Sequence, residues 1–234
     1  MSLDEHFFPK CTKDEVNQFA LYVEILENKL QPAGLIGPGD RNLIWKRHIQ
    51  DSLLPLLNPG LSIIIEKAKI VSDLGAGAGL PGIPLAIKYP NTQFQLVDGS
   101  IKRVEMLREL VDHLGLKNVN TICSSLGSDK FNGKKADVIL FRAFRKPLAA
   151  LELALYASTI PSSILYWRIQ NPFINPSAFS RIGDLGIKLM DKLIWEGFDQ
   201  PSGIYYFSRT KLAAKGFPRA FGKIQKDPLV ESVV

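Results

Sequence analysis

Between residues 12 and 31, apolar side chains recur every third or fourth position: Val16, Phe19, Val23, Leu26 and Leu30. That spacing gathers them on one side of an amphipathic helix. Thr12 and Glu15 stand three residues apart at its start, where each side chain can satisfy the other's backbone amide in a capping box. Pro32 and Gly34 stop the helix. After Gly37-Pro38-Gly39, Asp40 caps a second helix that runs to about Leu57. Both helices precede anything strand-like, so residues 1–62 form an N-terminal helical extension.

From Ile70 the pattern changes to short apolar runs alternating with helical stretches. The runs are Ile70 to Leu74, Phe94 to Val97, Val119 to Cys123, Val138 to Phe141 and Ile164 to Trp167. Helices are predicted at about Leu80 to Tyr89, Lys102 to Leu114 and Pro147 to Ala157. This βαβαβ order predicts an α/β fold with a mostly parallel, doubly wound sheet. Ile187 to Trp195 and Ile204 to Arg209 add two final strands. Residues 63–208 form that domain, and residues 209–234 a basic tail.

The chain has 234 residues, enough for one sizeable core, and its 46% hydrophobic and 22% charged composition is that of a globular protein. Two cysteines, Cys11 and Cys123, are too few for a disulfide framework and lack metal-ligand spacing, so no metal site is expected. Asp4, Glu5 and Asp14 argue against a secretory signal. The uncharged run from Leu153 to Trp167 is too short and polar to cross a bilayer. No membrane partner and a cytoplasmic location are therefore expected; oligomeric state is open. The net charge of +6 is concentrated. Arg209, Lys211, Lys215, Arg219, Lys223 and Lys226 stand in a stretch without an acid, and the rest of the chain is balanced. Such a segment either attracts a phosphate backbone or serves as a solvated tail.

The most informative stretch is Asp73 to Ile87, DLGAGAGLPGIPLAI. Gly75, Gly77 and Gly79 follow the first strand and let a ligand approach the backbone. A dinucleotide loop needs a third glycine where Leu80 stands, so the spacing suits a cofactor without a pyrophosphate and disfavours a nicotinamide oxidoreductase. Asp98 ends the second strand, 23 residues beyond Gly75. Alone it would cap the next helix; paired with the loop, its carboxylate suits the two hydroxyls of a ribose. Asp73 either holds a cationic ligand group or braces the loop amides. A glycine loop with acids rather than a phosphate cradle points to S-adenosylmethionine, whose sulfur is cationic.

These residues resemble the glucose-inhibited division protein B family, bacterial methyltransferases of N7 of a guanine in 16S ribosomal RNA. DLGAGAGLPGIPLAI is similar to that family's glycine loop, and Arg47-His48-Ile49-Gln50-Asp51-Ser52-Leu53 to its RHI-x-DSL helix. DGSIKRVEML from Asp98, LGLKNV from Leu114, Arg142-Ala143, and FPRAFGKIQKDPL from Phe217 extend the likeness. Where the family carries Arg-small-Glu after the third strand, this chain has Ser125-Leu126-Gly127. Near the fifth strand's end it has Arg168-Ile169 in place of Lys-Gly, and Gly99 stands where Ser is usual.

The resemblance implies a Rossmann-like class I methyltransferase that uses S-adenosylmethionine on 16S rRNA or the small ribosomal subunit. It implies cofactor contacts from Asp73, Gly75, Gly77, Gly79, Leu80, Asp98, Leu126, Gly127 and Arg142. It places Arg142, His48 and Arg47 at the reacting centre. Arg142 would hold a phosphate or the guanine O6 edge, against the plainer alternative of a surface ion pair. Arg47, His48, Asp51 and Ser52 would cover the cofactor mouth, against an Arg47–Asp51 pair with a packed His48. Lys102 and Arg103 either touch phosphate or are solvated. Trp45, Phe144, Phe217 and Phe221 either stack bases or pack in the core. The rival function is a non-catalytic RNA-binding protein on the same fold.

Overall fold

The computed structural model describes residues 11–30, 34–37, 43–127, 131–143, 146–167, 181–196 and 201–226. The expected Pro32 stop, the Asp40 cap, Phe144 and Arg168-Ile169 lie outside them. Helix α1 (Lys13–Ile25) opens on the predicted capping box, with Thr12 N donating to Glu15 Oε2 at 2.7 Å and Glu15 N to Thr12 Oγ1 at 3.2 Å. It buries Phe19 and Tyr22, then widens into a π-helical turn over Leu26–Leu30. The second predicted helix is not continuous. It comprises α2 (Trp45–Gln50), which is π-helical, and a 3-10 turn over Leu54–Leu57. Pro55 supplies the reason, since it has no amide for the carbonyl four residues back. That carbonyl, Asp51 O, accepts from Trp167 Nε1 at 2.9 Å instead.

Helix α3 (Pro59–Glu66) was not anticipated, although its signals are in the sequence. Asn58 caps it, accepting from Leu61 N at 3.1 Å, and Pro59 takes the first position, where a missing amide costs nothing. The alternating region then runs β1 (Ile70–Leu74), α4 (Gly82–Lys88), β2 (Gln93–Asp98), α5 (Ile101–His113), β3 (Val119–Cys123), β4 (Ala136–Arg142), α6 (Pro147–Ala157), β5 (Ser158–Trp167), β6 (Ile187–Trp195) and β7 (Ser202–Arg209), and α7 (Phe221–Lys226) follows. Strand β5 starts six residues earlier than predicted. Its register with β4 shifts between Ala136 and Val138, and that irregularity accommodates Pro161 within the strand.

The sheet order is β3-β2-β1-β4-β5-β7-β6. The first five strands are parallel, and β7 runs antiparallel between β5 and β6. One face is covered by α1 to α5, burying Phe19, Ile83, Phe94, Leu107 and Leu140. The other is covered by α6 and the C-terminal segment, burying Phe141, Leu151, Tyr166, Phe207 and Ile224. Each such fully buried large side chain contributes about 1.5–3 kcal/mol. The chain leaves β1 toward β2 and β3, then returns to β4 on the other side. That reversal opens a crevice beyond the carboxyl ends of β1 and β4, where ligands bind in open α/β sheets.

Candidate functional site

The glycine loop sits at this reversal. Gly75 N and Ala76 N both donate to Val97 O, at 2.8 and 3.0 Å, which pulls the loop over the end of β2. Gly75, Gly77 and Gly79 all have positive φ, at 80°, 55° and 89°. Their roles differ. A Cβ on Gly77 would meet only Gly75 O, at 3.8 Å, so this part of the loop is open to a ligand. A Cβ on Gly79 would fall 2.4 Å from Ile83 Cδ1, so that glycine faces the core. The close packing of helix on strand belongs to Gly82, whose Cβ would lie 2.4 Å from Leu96 Cδ2 and 2.8 Å from Asp73 Oδ2. The packing glycine is therefore not in the Leu80 slot but two residues on, at Gly82. Tyr22 of α1 was not anticipated; its hydroxyl donates to Ala78 O at 2.8 Å and pins the loop from below.

Two carboxylates brace the loop region, Asp73 through the Gly82 amide and Asp98 through the Gly77 amide. Asp73 is 1% exposed and accepts from Gly82 N through Oδ2 at 2.9 Å. Burial raises its carboxyl from 3.8 to about 7, with Asp98 adding to the rise and the Gly82 amide and Arg142 opposing it. For Asp98 the alternatives are a cap of the next helix and a ribose contact, and the structure shows it bracing main-chain amides on both sides rather than capping the helix with its own side chain. Its Oδ2 accepts from Gly77 N at 3.2 Å and its Oδ1 from Ser100 N at 3.0 Å. The side-chain cap of α5 is Ser100 itself, accepting from Arg103 N at 3.4 Å. Arg103, half exposed, lies 3.7 Å from Asp98 Oδ2.

Arg142, at the end of β4, turns toward α2. Its NH2 donates to Arg47 O at 2.5 Å, meets His48 Nδ1 at 3.1 Å and pairs with Asp51 Oδ2 at 3.0 Å. Its NH1 reaches His48 O at 3.5 Å and Ser52 Oγ at 3.4 Å. The structure therefore pairs Asp51 with Arg142, where the spacing on α2 had offered Arg47. Asp51 Oδ1 also accepts from Ser202 Oγ of β7. No local pattern signals Ser202, which lies 151 residues further along the chain. Arg47 and His48 thus stand beside Arg142, joined through α2's carbonyls.

The loop after β3 forms the crevice's other lip. Ser124 N donates to Asp98 O at 3.0 Å, bringing the start of this loop beside the end of β2. Gly127 has φ +82° and its carbonyl accepts from Phe221 N at 3.2 Å. The candidate stacking aromatics within the described residues are packed. Trp45 is 9% exposed and edge-on to Phe19, with ring centroids 6.0 Å apart; Phe221 and Phe217 pack against the α6 layer. A cavity of about 480 Å³ lined by Ile182, Ile187, Leu189 and Thr210 lies at the opposite end of the sheet, where β7 ends. Among the described residues, no group of three or more His, Cys, Asp or Glu is placed to hold a metal.

A family profile described as rRNA small subunit methyltransferase G matches residues 15–160. The chain is 30% identical over 225 residues to the ribosomal RNA small subunit methyltransferase G of Clostridium perfringens, covering 93% of this chain and 92% of that one. It is 26% identical over 237 residues to the protein of that name from Lactobacillus helveticus, covering 98% and 97%. Among solved structures, the fold is similar to magnesium protoporphyrin IX methyltransferase from Synechocystis, with TM-score 0.55 and 14% identity, covering 86% of this chain and 99% of that one. It is also similar to the S-adenosylmethionine-dependent methyltransferase SibL, with TM-score 0.56 and 16% identity, covering 89% and 71%. At those identities the structural likeness speaks for the fold.

Proposed function

Because the chain belongs to the rRNA small subunit methyltransferase G family, we propose that it transfers the methyl group of S-adenosylmethionine to N7 of a guanine in small-subunit (16S) ribosomal RNA. The observation that carries the cofactor half is the joining of the loop to Asp98 across the tips of β1 and β2. An open glycine backbone there lies between two carboxylates, which suits a ribose and a cationic amino acid better than a diphosphate. The Gly75, Gly77, Leu80 and Asp98 surface would hold the nucleoside and Asp73 the methionine end, with Leu126 and Gly127 along the adenine.

Guanine N7 carries a free lone pair, so methyl transfer to it needs no proton removed first. The protein's task is to hold nucleophile, methyl carbon and sulfur in line at near-attack distance. Positive charge passes from sulfur to the base, and a bare cation beside the base would oppose that. Arg142 suits the requirement because Asp51 neutralises it at 3.0 Å. In this reading Arg142, with Arg47 and His48, shapes the mouth of the crevice through α2 and places the RNA. The substrate is the small ribosomal subunit or its RNA, met in the cytoplasm. Among the described residues no helix is long and apolar enough to cross a membrane.

The test is methyl transfer from labelled S-adenosylmethionine to small ribosomal subunits and to their free RNA, followed by nucleoside analysis. The expected product is 7-methylguanosine. Another methylated nucleoside, with 7-methylguanosine at background, would overturn the assignment.

A further inference from the structure

The C-terminal segment from Phe217 to Lys226 does more than follow the last strand. Glu152 of α6 has a fully buried side chain, and Arg219 grips it from three directions. Arg219 N donates to Glu152 Oε1 at 2.7 Å, Nε reaches both carboxylate oxygens at 3.0 and 3.2 Å, and NH2 donates to Oε2 at 2.7 Å. Tyr156 Oη donates to Arg219 O at 2.9 Å, and the Phe217 ring lies 5.7 Å from the guanidinium. This anchor presents Phe221 to the loop after β3. A Cβ built on Gly127 would lie 2.7 Å from Phe221 Cβ, 3.0 Å from its Cα and 3.2 Å from Leu153 Cδ2. The loop is therefore sandwiched. Asp98 O holds it on one side through Ser124 N, and Phe221 N holds it on the other through Gly127 O.

We propose that this C-terminal strap is a wall of the cofactor site, and that Phe221 is a positioning residue fixing Leu126–Gly127 for the adenine half of the cofactor. The proposal rests on the cofactor reading above. The physical argument is preorganisation. Leu126 and Gly127 lie in a turn between β3 and β4, outside any strand or helix. A turn left unsupported must be ordered at the moment of binding, and that cost is subtracted from affinity. Phe221 removes the cost in advance, through one main-chain hydrogen bond and through its Cα and Cβ, which stand where a side chain at position 127 would go, while its ring packs with the α6 layer and keeps that backbone in place. The Arg219–Glu152 pair acts at one remove, by keeping α7 docked.

The experiment uses the full chain with S-adenosylmethionine and, separately, adenosine, titrated by calorimetry. Phe221→Ala is expected to weaken both ligands by about tenfold, the scale of one loop residue that must be ordered on binding. Phe221→Leu is expected to recover most of the loss. Gly222→Ala, on the same helix with nothing within 4 Å of its added methyl, is expected to leave affinity unchanged. Hydrogen exchange in Phe221→Ala should quicken at residues 124–127 and stay constant at 75–77. Faster exchange at 124–127 with wild-type affinity for both ligands would overturn the proposal, as would a loss for S-adenosylmethionine that adenosine does not share. If Phe221→Ala fails to fold, Arg219→Lys keeps the charge but loses the bidentate grip. Affinity should then fall as exchange at 124–127 rises, and affinity that stays constant would overturn the idea. A wild-type chain that binds no S-adenosylmethionine would sink the cofactor reading itself, a result distinct from the failure of this one.

Discussion

The two lips of the crevice are held by opposite means. The glycine loop is fixed from nearby: Asp73 reaches Gly82 nine residues on, and Asp98 reaches Gly77 across 21. Those bonds use main-chain amides and two adjacent strand ends. The facing side is fixed from afar. Arg142 takes hold of α2 across 94 residues, and Arg219 takes hold of Glu152 across 67. There the work is done by charged side chains on elements that meet only in the finished fold. The glycine loop is thus held mainly by main-chain amides at neighbouring strand ends, with Tyr22 as a remote support, and the elements that back the other side by tertiary ion pairs. Substitutions at Asp73 and at Arg219 should separate the two, because distant sites with no shared partners have additive effects, whereas Asp98 serves both, bracing Gly77 through Oδ2 and accepting from Ser124 N through its carbonyl.

The largest effect is expected at the remote anchor. Arg219→Ala leaves the fully buried Glu152 carboxylate without its cation, a change that costs about 3–5 kcal/mol when the group stays buried. Release of the strap into water would limit the loss, and would show as new proteolytic sensitivity in residues 210–226. Urea denaturation measures the first and limited proteolysis the second. A cost below about 1 kcal/mol with the strap still protected would mean that apolar packing of Phe221 and Ile224 holds it unaided.

The local lip should reveal itself through pH. Asp73 titrates near 7 in the folded protein and 3.8 as an unperturbed group. Below both values it is protonated folded or unfolded and contributes nothing. Between about 4 and 7 the unfolded chain loses the proton first, so the folded state is progressively penalised as pH rises. Above both values the penalty is constant, at about 4 kcal/mol. Stability of the wild type relative to Asp73→Asn should therefore fall from pH 4 to 7 and then level. A flat difference would show that the carboxyl is not pushed up by burial. Arg219→Ala should not alter this profile, which is the sharpest way to show that the Asp73 brace and the Arg219 anchor act independently.

Asp98→Ala removes a brace of the same loop and the acid assigned to the ribose. Loss of a charge-assisted hydrogen bond should weaken S-adenosylmethionine by about 1.5–3 kcal/mol. Calorimetry that shows wild-type affinity would remove Asp98 from the ribose. Asp98→Asn retains an oxygen for the Gly77 amide, so a smaller loss there separates the brace from the charge.

This division also explains what the sequence disclosed. The capping box at Thr12, the run from Ile70 to Leu74 and the glycine loop are readable because each depends on residues within one or two turns of chain, and Asp98 because it ends the strand that follows the loop. Helix α3 was readable too, from Asn58-Pro59, and was overlooked. Gly82 stood in plain view as the glycine after Leu80-Pro81, but its role is defined by Leu96 on another strand. Ser202 under Asp51 and Glu152 under Arg219 carry no local signal at all. Their meaning is a partner 151 or 67 residues away. The break in the second helix at Pro55 is a local signal instead, a residue that cannot donate standing inside the apolar spacing that extends the helix.

The smallest effect, and the finest discriminator, concerns the tail's charge. Six cations and no acid from Arg209 to Lys226 predict binding to phosphate, but the fold assigns two of them to structure. Arg209 is 6% exposed and donates to Leu155 O at 3.4 Å, Ser158 O at 3.3 Å and Ser158 Oγ at 2.7 Å, where it caps the end of α6. Arg219 is taken by Glu152. Lys211, Lys215, Lys223 and Lys226 remain exposed. Truncating the tail would strip Ile224, which is wholly buried, so it would confuse folding with binding. Reversing Lys211, Lys215 and Lys223 to Glu leaves Phe217, Phe221 and the Arg219–Glu152 pair in place. Each lysine withdrawn from the phosphates of single-stranded RNA should flatten the log–log salt dependence by about 0.7, so three should flatten it by roughly 2. Affinity for S-adenosylmethionine should hold, because Lys211 and Lys215 precede the strap and Lys223 is exposed on α7. If the folded triple variant keeps the parent's RNA affinity and salt slope, the strap meets water rather than phosphate, and its part in the protein ends with the loop it supports.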